Sequence, residues 1–285
     1  MITLQKGRTK VTINELGAEM KSFTVDGVDY IWTGDPQVWA RSAPNIFPMT
    51  GGFRDDKYIL EGKEYVMPKH GFALNSTFEV ESQSETEAVF VLRESDDTLK
   101  VWPYSFEFRV CYKLDDEKIT IDYKVTNKNG NTMYFSVGSH DGFATPEGIE
   151  DYDIIFPEKE TLDSYTLFGN LIGEDKTRII TDSDTLSLKY DYFAVDALVF
   201  KDVKSQSLKL VNRNTGRGIE LQFPNFPVLM VWTKPGAGYV CIEPWFGAPD
   251  DVNSNYDITN KFAIQKVLAG DTFTCTRVIT ALEGK

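Results

Sequence analysis

Cysteine is scarce in this sequence, and its three copies stand far apart. Cys111, Cys241 and Cys275 are odd in number, form no C-x-x-C pair, and each lies in an apolar, strand-like run. Neither a disulfide framework nor a cysteine-based zinc site is indicated, and each reads as a small buried hydrophobe. Positive charge is scarce too: 30 Lys and Arg face 43 Asp and Glu, a net charge of −13. A nucleic-acid partner needs a basic face, which this balance does not supply. No stretch approaches the roughly 20 apolar residues of a membrane helix. Met1 to Lys10 carry no basic-then-apolar leader pattern. The expectation is therefore a cytoplasmic protein with neither a nucleic-acid nor a membrane partner. G-x-G-x-x-G after a strand, G-x-x-x-x-G-K-[ST], H-E-x-x-H and G-x-S-x-G are all missing, so nucleotide, zinc-peptidase and serine-hydrolase chemistry have no support.

Amphipathic helices of a dozen residues are missing as well, and period-two alternation takes their place. Phe106, Phe108, Val110, Tyr112 and Leu114 share one face of a strand. After the Asp115-Asp116-Glu117 turn, Ile119, Ile121, Tyr123 and Val125 share the next. A second hairpin is expected from Ser207 to Phe223. Further strands are expected at Val11–Asn14, Phe78–Glu85, Ala88–Arg93, Met133–Ser139, Leu186–Phe193, Ala197–Lys201, Val228–Thr233, Tyr239–Glu243 and Thr272–Leu282. Short helical turns fit Asp35–Trp39 and Asp257–Ala263. A dozen or more strands without alternating helices define an all-β class, a large antiparallel sandwich. With no linker, low-complexity tract or fixed-period repeat, residues 1–285 read as one domain.

Three segments break the alternation: Ser42–Gly52 (SAPNIFPMTGG), Met67–Leu74 (MPKHGFAL) and Gly138–Pro146 (GSHDGFATP). The last two carry the chain's only histidines, His70 and His140, each close to a Gly-Phe-Ala. Histidine exchanges protons near neutral pH with little tuning, and loops on a rigid sheet are where sites tend to sit. Both also fit as ordinary satisfied loop histidines. Alternation from Tyr134 places Ser136, Gly138 and His140 on one face, with Phe135 and Val137 on the core face. In YVCIEPW, Val240 and Ile242 share one face while Tyr239, Cys241 and Glu243 share the other. Pro244 should end or bend that strand directly after the carboxylate, leaving Glu243 either solvated or partly desolvated with its pKa raised toward that of a useful base. Trp232, Trp245 and Phe246 are candidates for a sugar-stacking platform as well as for core.

MPKHGFA, then YFSVGSHDGFATP, then VWTKPGAGYVCIEPWFG resemble, in that order, the aldose 1-epimerase (galactose mutarotase-like) family, most closely its LacX-like bacterial branch. The likeness runs from VTINELGAEMKSFTVDG to VLAGDTFTCTRVIT, essentially the whole chain. It implies a β-supersandwich with a concave site and a cofactor-free, metal-free reaction on a small-molecule sugar, in a monomer or homodimer. Glu243 would take the anomeric proton while His140 protonates the ring oxygen, opening the ring. His70 would hydrogen-bond the ring oxygen or nearby hydroxyls. Asp196, in YFAVDALVF, resembles a hydroxyl-binding aspartate. Arg41 and Arg54 flank the irregular apolar segment and are within reach of sugar hydroxyls.

The sequence departs from those relatives in three places. Ser42 stands where they usually carry a basic residue or histidine, Gly51-Gly52 where they carry Gly-Arg, and His140-Asp141 where they carry His-Pro. Arg54 is positioned to substitute for the missing arginine, and Asp141 should raise the pKa of His140 by charge proximity. Three alternatives stay open. The first is a sugar-phosphate 1-epimerase drawing on Arg41, Arg54, Lys69 and Lys234, and the second a non-catalytic carbohydrate-binding protein. The third is a metalloenzyme built on His70, His140 and Glu243.

Overall fold

Strict alternation becomes strict one-sided burial. The strand Phe106–Asp115 alternates buried and half-exposed residues along its length and pairs in uninterrupted antiparallel register with Lys118–Asn127. Both lie inside a nine-stranded antiparallel sheet, which starts at the hairpin Tyr152–Phe168/Leu171–Ser187. It then runs through Ser207–Asn212, Arg217–Gln222, Thr272–Glu283, Lys118–Asn127, Phe106–Asp115, Glu87–Arg93 and Glu79–Gln83. The structure is a computed structural model that describes residues 1–284.

A second sheet of six strands packs against the first. Its path is Leu198–Phe200, Val228–Trp232, Tyr239–Phe246, Val137–Ser139 and Asn45–Ile46, with Asp141–Ala144 also paired to Tyr239–Phe246. An N-terminal four-stranded meander, Ile2–Lys6 to Val28–Asp29, covers one end. Between the sheets Phe47 stacks on Phe108 at 4.4 Å and meets Phe135 and Trp102. Val240 and Ile242 enter this core from the six-stranded sheet, as their alternation requires. The class is thus an antiparallel all-β sandwich. No helix among the described residues is long and apolar enough to cross a membrane.

Several expected elements differ. Tyr152–Phe168 and Leu171–Ser187 form a hairpin of 17 residues per strand that alternation does not announce. Only its base, Tyr152–Ile155, pairs with the sheet through Ser207–Asn212. Beyond that it is a two-stranded ribbon, wet on much of its surface and broken by register shifts, so no single face has to be apolar. The expected strand Leu186–Phe193 stops at Ser187. Tyr190–Phe193 instead winds into a 3-10 turn, held by the Tyr190 hydroxyl donating to the Ala237 carbonyl. Met133–Ser139 divides at Ser136 because its partner changes, from Gln265–Val267 to Tyr239–Phe246. A six-residue helix, Asp96–Val101, arises from a capping box between Ser95 and Thr98.

Candidate active site

The site lies on the face of the six-stranded sheet turned away from the large core. Glu243 sits mid-strand: Tyr239–Phe246 runs straight through Pro244 rather than ending there. The reason is on the neighbouring strand. Gly138 faces Trp245 and Asp141 faces Ile242 in one continuous register, but the ladder is open between them. Pro244 has no N–H to give, and the open rungs absorb that loss. The freed backbone groups find other partners. The His140 N–H donates to the Pro44 carbonyl at 2.9 Å, and the Trp245 indole N–H donates to the Ser139 carbonyl at 2.8 Å. That register sets His140 opposite Glu243, and Met230 pairs with Glu243 from the other side.

His140 Nδ1 and Glu243 Oε1 are 3.5 Å apart. Glu243 is 2% exposed, and neither its Oε2 nor His140 Nδ1 has a hydrogen-bond partner. Burial drives the Glu243 pKa well above the usual carboxylate range, reinforced by Asp141 and Asp196 and opposed by Lys69. Burial also drives His140 down to about 3, with the Lys69 charge adding to it. Both shifts favour the uncharged forms, a protonated carboxyl beside a neutral imidazole, over an ion pair. Asp141 does not raise the His140 pKa as expected, because its carboxylate leaves the opposite face. There it takes the Arg277 guanidinium at 2.9 and 3.2 Å, and both side chains are fully buried between the sheets.

His70 reaches the same cavity from a turn. Its φ is +67°, and the following Gly71 is also left-handed, with a Cβ there colliding with the Phe47 carbonyl and Pro48. The His70 N–H donates to the Gly51 carbonyl at 2.8 Å. In return the Gly51 N–H donates to His70 Nδ1 at 3.2 Å. With Nδ1 accepting, the ring proton sits on Nε2. Burial, then His140 and Lys69, hold His70 well below its ordinary pKa, so it is a fixed neutral donor. The two imidazoles stand 5.7 Å apart, edge to face.

The cavity is about 510 Å³, room for a pyranose with ordered water beside it. Its lining includes the expected Arg41, Asp196, Trp232 and Trp245. Their parts differ. Trp232 is half-buried and stands edge-on to His140. Trp245 is 1% exposed and packs edge-on against His70 and over Gly138, which makes it floor and not an open platform. Phe246 turns away to pack on Phe226 and Phe273. Arg41 is tied to Glu19 and to the Leu74 carbonyl.

Arg54 is outside the lining. Its guanidinium donates to the Ser254 carbonyl and lies over the Tyr256 ring, so it does not replace an arginine at position 52. Asn170, from the long hairpin's tip, occupies the space beside Gly52: a Cβ at 52 would stand 3.1 Å from Asn170 Cβ. Asn170 also accepts from Lys69 Nζ at 2.8 Å.

Sequence reading missed Trp39. It stacks on Tyr239 at 5.1 Å, lies 5.1 Å from the His140 ring and meets Trp232 edge-on, forming the aromatic wall. Its only sequence signal was a place in the short turn after Asp35. The donor atoms of His140, Cys241 and Glu243 all lie within 4.8 Å of one another. The compact three-donor group thus contains Cys241, where the sequence reading considered His70.

The antiparallel supersandwich, with a carboxyl facing an imidazole in a tryptophan-walled hollow, defines the structural class. The chain belongs to the aldose 1-epimerase family, whose model matches residues 1–259. It is 31% identical to the plasmid LacX protein of Lactococcus lactis subsp. lactis over 296 aligned positions, covering 99% of each chain. Among solved structures, a galactose mutarotase related enzyme from Lactobacillus acidophilus superposes with a TM-score of 0.94. It is 30% identical, over 100% of this chain and 99% of that one. A galactose mutarotase-like protein from Lactobacillus casei gives 0.93 at 27% identity, over 99% and 100%. Galactose 1-epimerase from L. acidophilus shares only 13% identity at a TM-score of 0.73, and establishes common fold alone.

Proposed function

We propose that the cavity interconverts the α and β anomers of a free aldose by opening and reclosing its ring, without a cofactor. The observation that carries this is the buried Glu243–His140 contact, two proton-exchanging groups facing each other at 3.5 Å with unpartnered polar atoms. Ring opening needs a base at the anomeric hydroxyl and an acid at the ring oxygen. Each contributes roughly 10²–10⁴-fold, ample for a reaction that already runs slowly in water.

The resting pair shares one dissociable proton, which burial places on Glu243. Bound hydroxyls donating to the carboxylate, together with Lys69 nearby, favour its ionised form and pass the proton to His140. Glu243 then takes the anomeric proton, His140 protonates the ring oxygen, and rotation about C1–C2 precedes closure. His70 Nε2–H donates to the ring oxygen or an adjacent hydroxyl, and Asp196 accepts from another. Trp39 and Trp232 offer flat faces to the sugar's C–H bonds. The natural partner is a small sugar, handled by a monomer or homodimer in the cytoplasm.

Anomer exchange followed by NMR over a panel of free aldoses tests the reading. Wild type should accelerate exchange for at least one sugar, and Glu243→Gln should lose roughly 10²-fold or more; equal rates would overturn the assignment. A phosphorylated sugar is the second reading, because Lys69 and Lys234 also line the cavity. Its weakness is that Lys69 is engaged by Asn170 and Lys234 by the Val38 carbonyl. Faster turnover of the 6-phosphate than of the parent aldose would favour it.

A further inference from the structure

We infer that His140, Cys241 and Glu243 form a binding site for one thiophilic divalent cation, zinc above all, and that filling it stops the proton transfers proposed above. The sheet register builds the set. Cys241 and Glu243 are two residues apart on one strand, so both leave the same face, and His140 joins them from the neighbouring strand. All three donor atoms lie within 4.8 Å of one another. Around a tetrahedral zinc the donors stand roughly 3–4 Å apart, so closure asks for side-chain shifts of about 1 Å.

The donors are also available. Glu243 Oε2 and His140 Nδ1 have no hydrogen-bond partner, and Cys241 is a free thiol. Imidazole, thiolate and carboxylate together suit zinc and disfavour magnesium and calcium, which want oxygen alone. Charge balances as well. The Cys241 thiolate and the Glu243 carboxylate each bring one negative charge to the ion, while the His140 imidazole is neutral. Two negative donors meet the two positive charges of the metal, and the occupied site is neutral. Burying the ion therefore adds no net charge to the interior. His140 and Glu243 line the cavity, so a water on that side would complete the tetrahedron.

Occupancy ligates both proton carriers at once, so zinc acts as an inhibitor competing with sugar. That consequence rests on the acid–base reading of the same pair, whereas binding itself does not.

The full-length chain titrated with zinc against a chromophoric chelator, and with cobalt(II) by absorption, decides the matter. One ion should bind, and cobalt should show a thiolate-to-metal charge-transfer band. Cys241→Ser should abolish the band and weaken zinc at least 10-fold, while Cys111→Ser and Cys275→Ser keep both. Glu243→Gln should weaken zinc similarly, which keeps the test open if Cys241→Ser fails to fold. A cobalt spectrum without the thiolate band, or unchanged zinc affinity in Cys241→Ser and Glu243→Gln, overturns the site. Zinc that binds as expected but leaves anomer exchange at full rate overturns the inhibition. Metal binding without any sugar turnover in wild type would sink the epimerase reading and leave the metal site standing.

Discussion

His140 and Asp141 are consecutive in the chain, yet their side chains leave opposite faces of the six-stranded sheet. One enters the cavity and the other pairs with Arg277 between the sheets. The ion pair lies one residue from the open rungs that free His140. On the next rung, Asn45 ties the same region to Tyr123, Tyr112 and the Ala18 carbonyl. This buried polar layer holds an irregular stretch of backbone that apolar packing alone would not fix in place.

Breaking one side of that pair should be costly. Both side chains are fully buried, so Asp141→Asn strands a guanidinium charge and should lower stability by about 3–5 kcal/mol. Replacing both, Asp141→Leu with Arg277→Met, removes the stranded charge and should recover most of the loss. Chemical denaturation of the two variants measures this. A single variant as stable as wild type would show that the pair contributes little.

The residues that meet in the cavity were legible because their signals are local. Alternation alone put Glu243 and Cys241 on one face and Val240 and Ile242 on the other, and the structure keeps that division. Glycine-flanked histidines in irregular segments led to His70 and His140. What stayed hidden depends on long-range contact. Asp141 pairs with a residue 136 positions away, and the fate of position 52 depends on Asn170 at the tip of a hairpin whose wet ribbon carries no apolar period. Arg54 looked suitable by sequence distance, but the left-handed Asp55 and Asp56 and the Tyr256 ring turn it away from the cavity. Pro244 misled for a related reason. A proline ends a strand only if its missing hydrogen bond is needed, and here the neighbouring rungs are open.

The aromatic wall should matter for sugar affinity more than for the chemical step. Trp39 is half-buried and contributes one stacked and one edge contact besides its approach to His140. Trp39→Ala should weaken sugar binding roughly 3- to 10-fold, visible as a raised KM with kcat within a few-fold of wild type. A kcat loss matching that of Glu243→Gln would instead place Trp39 in the chemistry, through the orientation of His140.

From these groups stability should peak near the unfolded histidine pKa of 6.5, because two lowered histidines are set against one raised glutamate. Glu243 has its pKa raised on folding. Its contribution is complete below the unfolded value of about 4.5 and is lost as pH climbs toward the folded value. His140 has its pKa lowered from 6.5 to about 3. Its contribution is complete above 6.5 and is lost as pH falls through that window, and the lowered His70 acts in the same sense. Glu243→Gln removes the alkaline loss alone, since glutamine is neutral at every pH. Thermal midpoints of wild type and Glu243→Gln should therefore converge in acid. Above about pH 5 the variant should gain relative to wild type, by an amount that grows with pH. A constant offset between the two curves from pH 4 to 9 would mean that Glu243 titrates alike in the folded and unfolded chain, and that burial does not hold its proton.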